Sequence, residues 1–119
     1  MRSENGELMK RTKAFALDIV RFVEALPSGK TADVMGRQLL RSATSVGANY
    51  RAACRARSKA DFVNKLGLVE EEADESRYWL ELLTETAVVQ PSLTNTLSTE
   101  ADEITAMVVA SIKSARLRS

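Results

Sequence analysis

No histidine occurs anywhere in the 119-residue chain, so the commonest general base near neutral pH is missing. The Glu-x-x-His pairs of di-iron bundles are excluded with it. A single cysteine, Cys54, rules out an intramolecular disulfide and fits a reducing compartment. Two prolines and five glycines leave few places to punctuate many short strands, which favours a few long helices. No apolar run approaches the ~18 residues of a membrane span. The first apolar segment, AFALDIVRFVEAL, is broken by Asp18, Arg21 and Glu24 and is no signal peptide. The chain is therefore expected to be soluble, cytoplasmic and free of membrane partners. Phosphate-binding loops, dinucleotide fingerprints and zinc spacings are also missing. The expectation is a non-enzyme with no cofactor and no metal. A carboxylate-only Mg²⁺ site at Glu71, Glu72 and Glu75 is less specific than a solvated acidic face. Cys54, among Arg51, Arg55 and Arg57 but without a histidine or second cysteine, reads as a small, partly buried residue.

What is present is helical periodicity. Leu8, Phe15, Ile19, Phe22 and Leu26 share one face of a helix over 7–26, ended by Pro27-Ser28-Gly29. Leu39, Ala43, Val46, Tyr50 and Ala53 mark a second helix over 31–57, with Asp33 in its first turn. Ser58 and Asp61 form a capping signal for a third helix over 58–89, which Gln90-Pro91 stops. A fourth, over about 95–116, buries Leu97, Ala101, Ile104, Val108 and Ile112. In the third helix Phe62, Leu66, Val69, Ala73, Ser76, Leu80, Leu83 and Ala87 alternate steps of four and three. Such a seven-residue repeat demands left-handed packing. With short loops, the fold expected for residues 1–119 is a single-domain, all-α, up-down-up-down antiparallel, left-handed four-helix bundle.

A second seam lies beside the first: Lys65, Leu68, Glu72, Glu75, Trp79, Leu82 and Thr86. Read functionally, Leu68, Trp79 and Leu82 belong to an oligomer interface, because tryptophan is enriched at interface centres. The competing reading is a wide core stripe within one bundle. Arg41, Ser45 and Asn49 on the second helix share a face, and Glu72 and Glu75 on the third lie one turn apart. They are expected to form a structural polar network that fixes helix register, in preference to a catalytic pair.

The net charge of +1 hides a strong asymmetry. Residues 1–65 carry 13 Lys and Arg against 6 Asp and Glu, whereas residues 66–119 carry 4 against 10. Residues 37–59 contain six cations and no anion. Arg51, Arg55 and Lys59 follow at i, i+4 and i+8, with Arg57 beside them, and form the candidate nucleic-acid-binding residues. Lys10, Arg11 and Lys13, and Lys113, Arg116 and Arg118, would extend that surface. Tyr50 is the one aromatic within the basic segment. The bland alternative is a solvated face, or basic and acidic helices pairing with each other.

The pattern R-S-x-x-S-V-x-A-N (Arg41, Ser42, Ser45, Val46, Ala48, Asn49), a basic stretch, Asp61-Phe62, then Glu72, Glu75 and Trp79-Leu80 carries a family resemblance. It is similar to the bacterial four-helix-bundle family named after proteins encoded in 23S ribosomal RNA intervening sequences. The likeness covers residues 14–88 well and the fourth helix loosely. It implies a homopentamer, and no catalytic residues carry over from it. The family includes an accessory protein of diversity-generating retroelements whose basic pentameric barrel engages RNA and a reverse transcriptase. The expectation is thus an oligomeric, non-catalytic scaffold that binds structured RNA or a nucleic-acid-processing protein. The alternative is a protein-interaction adaptor presenting the acidic face of the third helix.

Overall fold

Apolar residues at three- and four-residue spacing can only be removed from water together if four helices turn their stripes inward, and the computed structural model has that form. It describes residues 2–118, with side chains from residue 6 onward. The helices are α1 (Arg2–Glu24), α2 (Lys30–Cys54), α3 (Lys59–Glu85) and α4 (Pro91–Leu117), and there is no strand among the described residues. They form an all-α four-helix bundle about 51 Å long. The core holds Leu8, Phe15, Ile19, Leu39, Val46, Tyr50, Leu66, Val69, Leu80, Leu83, Ile104 and Val108, all essentially inaccessible. No helix among the described residues is long and apolar enough to cross a membrane.

Cross-helix contacts show antiparallel neighbours. Ser42 and Ser76 share a buried hydroxyl bond of 2.9 Å between α2 and α3. Thr84 meets Thr94 at 2.8 Å and Arg77 meets Asp102 at 2.6 Å between α3 and α4. Arg11 on α1 forks onto the Glu100 carboxylate on α4 at 2.9 and 2.7 Å and also reaches Glu103 at 2.5 Å. These bonds push the Arg11 pKa further above its ordinary value, hydrogen bonding to Glu100 contributing most. Between α1 and α2, Gly36 packs close against Leu26: a Cβ there would lie 3.0 Å from Leu26 Cδ1, so the leucine side chain would have to shift by a few tenths of an ångström to admit one.

The helix ends differ from those expected. α2 stops at Cys54 instead of near Arg57: the Arg55 and Ala56 amides turn back to the Ala52 and Ala53 carbonyls at 3.1 and 3.0 Å. α3 stops at Glu85, not 89. Ala87 takes φ 62°, the Val88 amide bonds the Leu83 carbonyl and the Ala87 amide bonds the Thr84 carbonyl, which together make a Schellman ending. Ala87 is consequently exposed and leaves the core stripe. Pro91 starts α4 rather than merely ending α3; its fixed φ suits the first helical position, where an N–H has no partner anyway. Ser58 caps α3 as its spacing suggested, its hydroxyl accepting from the Asp61 amide at 3.0 Å.

Candidate nucleic-acid interface

The antiparallel pairings bring the beginning of α1, the end of α2, the beginning of α3 and the end of α4 to one end of the rod. Residues 6–13, 51–66 and 110–118 therefore converge. They hold eleven of the 17 Lys and Arg but only Glu7 and Asp61 of the 16 Asp and Glu. Sequence blocks separated by up to a hundred residues thus become a single basic pole.

Arg51 and Arg55 leave the end of α2 and Arg57 the short loop to α3. Together with Ala48, Ala52, Asp61 and Lys65 they line an open groove of about 550 Å³. Asp61 is already engaged by Lys65 at 2.9 Å. Arg51, Arg55 and Arg57 are exposed and, among the described residues, none forms an ion pair. Three guanidiniums on an alanine floor offer planar, multi-donor contacts to phosphate. Arg51 also borders a second groove, of about 360 Å³, with Met9, Thr12, Lys13 and Gly47, so Lys13 of α1 continues the cationic track across α2. That contribution shows in sequence only as one more cation near the N-terminus.

Lys59 does not join Arg51 and Arg55. Its ammonium donates to the Arg118 carbonyl at the end of α4, and the side chain lines the α3–α4 face. Tyr50 is 1 % exposed, so its ring fills the core and offers no surface for a base. Cys54 is exposed, not partly buried, because α2 turns its outer face to solvent there.

The polar network joins Arg41, Glu72, Glu75 and Trp79. The Arg41 guanidinium donates to Glu75 and lies 3.5 Å from Glu72, while the Trp79 indole N–H donates to Glu75 at 3.0 Å. The Trp79 N–H, and after it the Arg41 guanidinium, holds the Glu75 carboxyl below its ordinary range. Ser45 and Asn49 are half-buried and have no hydrogen bond to this group among the described residues. The hydroxyl pair Ser42–Ser76 takes the buried position between the helices instead. Trp79 is half-buried against the core and stacks edge-on with the exposed Tyr78 at 5.1 Å. Leu82 is half-buried, whereas Leu68 sits on the rim of the α3–α4 groove. No group of three His, Cys, Asp or Glu among the described residues is placed to hold a metal.

The model of the 23S rRNA-intervening sequence protein family matches residues 4–110. The chain belongs to this family. A crystal structure from Bacteroides thetaiotaomicron VPI-5482, described as a protein with unknown function from the S23 ribosomal protein family, is 36 % identical. It covers 92 % of this chain and 98 % of its own, with a TM-score of 0.87. No curated protein matches. Neither the family nor this structural relative indicates an enzyme.

Proposed function

We propose that this member of the intervening-sequence family is a non-catalytic, homo-oligomeric scaffold, built on a ring of five chains, that binds structured RNA through the Arg51–Arg55–Arg57 groove. One observation carries the reading: three exposed arginines converge at the basic pole with no acidic partner, although the same chain pairs Arg11, Arg41 and Arg77 with carboxylates. An unpaired arginine cluster at a pole nearly free of carboxylates is a phosphate-binding surface before it is a stabilising one. The core position of Tyr50 removes base stacking from the groove, which favours backbone recognition over single-strand capture. Repetition around a ring would multiply a modest single-site affinity.

The second reading, an adaptor for a partner protein, draws on Glu70, Glu71 and Asp74 of α3, which have no cation partner among the described residues. Binding of a structured RNA hairpin over a salt series, with the mass measured by light scattering, separates the two. RNA binding is expected to weaken steeply with salt, and Arg51→Glu with Arg55→Glu should flatten the salt slope by roughly 0.7–0.9 for each phosphate no longer neutralised. Retained binding in that double variant refutes the groove. A wild-type assembly indifferent to RNA at low salt favours the adaptor.

A further inference from the structure

Two grooves flank the last turns of α2 at the basic pole. One, of about 550 Å³, lies toward α3 and carries Arg55 and Arg57. The other, of about 360 Å³, lies toward α1 and carries Lys13. Ala48 and Arg51 border both grooves and so form the crest between them. Lys13, like the three arginines, is exposed and has no ion pair among the described residues. It stands close to the crest because α1 does: a Cβ at Gly47 would touch the Thr12 carbonyl oxygen at 3.5 Å. The crest is low. Thr44 and Ala48 are exposed on it, and α1 and α3 pack against either side of α2, at about 8–10 Å between axes. Asn49, the one carboxamide between residues 44 and 57, is half-buried and lines neither groove.

We propose that the α2 crest lies in the minor groove of an A-form RNA duplex, with the phosphates of one strand in each flanking groove. The inference rests on the RNA reading above and adds which form of RNA, and which face of it, the protein holds. Cations on the two sides of one helix, about 10–12 Å across with its side chains, call for two rows of phosphates at a like separation. A lone strand supplies one row. The minor groove of a B-form duplex, about 6 Å wide, is too narrow for the crest. Its major groove is wide enough at about 12 Å, but it is some 8.5 Å deep, and a helix hemmed in by α1 and α3 cannot fill it. The wide, shallow minor groove of A-form RNA fits a low crest and displays 2′-hydroxyls along it. Arg51 has donors for their oxygens. The Thr44 hydroxyl gives its proton to the Leu40 carbonyl at 2.8 Å, which leaves its oxygen free to accept from one. With Asn49 withdrawn from the crest, recognition is by shape and not by base sequence.

Three probes of one sequence test the proposal: a blunt RNA duplex of about 20 base pairs, one of its strands chosen not to fold, and the corresponding DNA duplex. At equal salt the RNA duplex should bind on the order of tenfold more tightly than either of the others, because it alone offers both phosphate rows at the right depth. Lys13→Gln should lower the salt slope for the RNA duplex by roughly 0.9 for each engaged copy and leave that for the single strand unchanged. Arg55→Gln should lower both. Lys13 and Arg55 are exposed, so helicity by circular dichroism should be unchanged in each variant. Equal affinity for the RNA duplex and its single strand, or for the RNA and DNA duplexes, would overturn the assignment. So would a Lys13→Gln variant with an unchanged duplex slope, or one that weakens both RNA forms alike, since a single strand would then cross the crest. In those cases the arginine groove still stands wherever Arg55→Gln weakens RNA binding. A wild-type protein that binds none of the probes at low salt defeats the RNA reading and this inference together.

Discussion

Replacing Ala87 by glycine should stabilise this protein. Ala87 stands just past the end of α3 with φ 62°, a left-handed conformation that an L side chain resists at a cost of about 1–2 kcal/mol. Its conformation is held in place because the Val88 amide must reach back to the Leu83 carbonyl at 3.0 Å, folding Val88 and Val89 over the buried end of the helix. Glycine relieves the strain but gains about 0.5–1 kcal/mol of disfavour from its freer unfolded chain. The Ala87 methyl is exposed, so its removal costs no packing. The difference leaves a net gain of about 0.5–1 kcal/mol, which for a chain of this size raises Tm by about 2–4 °C. Thermal unfolding followed by circular dichroism at fixed protein concentration measures it, with urea titration as the equilibrium check. Ala87→Val should move the other way, because a β-branched side chain tolerates the left-handed region least. A glycine variant that is neutral or less stable, with valine tolerated, would mean that α3 continues through residue 87 and that the ending described above is wrong.

Three further outcomes follow from the same contacts. Gly29, at φ 153° and ψ 153° before α2, occupies a region open almost only to glycine; Gly29→Ala should cost about 1–3 kcal/mol in urea unfolding, whereas Gly6→Ala, with open space around it, should not destabilise. Ser42→Ala should cost about 1 kcal/mol, and a double-mutant cycle with Ser76→Ala should show coupling, because each hydroxyl keeps a backbone acceptor when the other is removed, Leu39 for Ser42 and Glu72 for Ser76. The Glu75 carboxyl is held below its ordinary value of 4.5, so its charged form stabilises the fold above that pH and the contribution disappears as pH falls through the lowered value. Glu75→Gln should flatten that acid limb of a stability-against-pH curve and leave the neutral-to-alkaline limb unchanged in shape; an identical acid limb in the variant refutes the assignment.

The core was legible in the sequence because burial imposes a period, and Leu66, Val69, Ala73, Ser76, Leu80 and Leu83 keep that period without a break. The contact of Arg41 with Glu72 and Glu75 was legible for a related reason: residues three or four apart share a helix face, and a guanidinium facing two carboxylates has few competing partners. Helix ends were harder. An alanine in a left-handed ending carries no glycine to announce it, and a proline reads equally as a stop or as a first helical residue. The misplacement of Lys59 grew from the same difficulty. Its alignment with Arg51 and Arg55 presumes one unbroken helix, but the chain turns over residues 55–58 and carries Lys59 round to α4. The Ser42–Ser76 pair was not legible, because a serine inside a helix signals nothing about whether its hydroxyl finds a partner or bonds its own carbonyl.

The charge asymmetry has a topological origin that composition alone conceals. Along the chain, cations dominate the first half and anions the second, which suggests basic helices lying beside acidic ones and cancelling. Antiparallel packing does this only in part. It sets Arg11 on Glu100 and Glu103, Arg41 on Glu72 and Glu75, and Arg77 on Asp102, all away from the basic pole or reaching back from it. The last turns of α2 and α4 come to the same end as the first turns of α1 and α3, where the carboxylates are few. A cation at the end of α2 or α4 also sits favourably on the negative end of its helix dipole, so Arg51, Arg55, Lys113 and Arg116 are tolerated there without partners. The unpaired positive charge therefore accumulates where the fold stabilises it locally but leaves its donors facing outward, and those donors divide between two faces. Arg51, Arg55 and Arg57 open onto the α2–α3 groove, while Lys59, Lys113 and Arg116 open onto the α3–α4 groove beside Gly67. The first face has arginines alone as its unpaired cations, the side chain suited to phosphate, and its one carboxylate, Asp61, is taken by Lys65, whereas Glu70 and Glu71 line the second without a cation partner among the described residues.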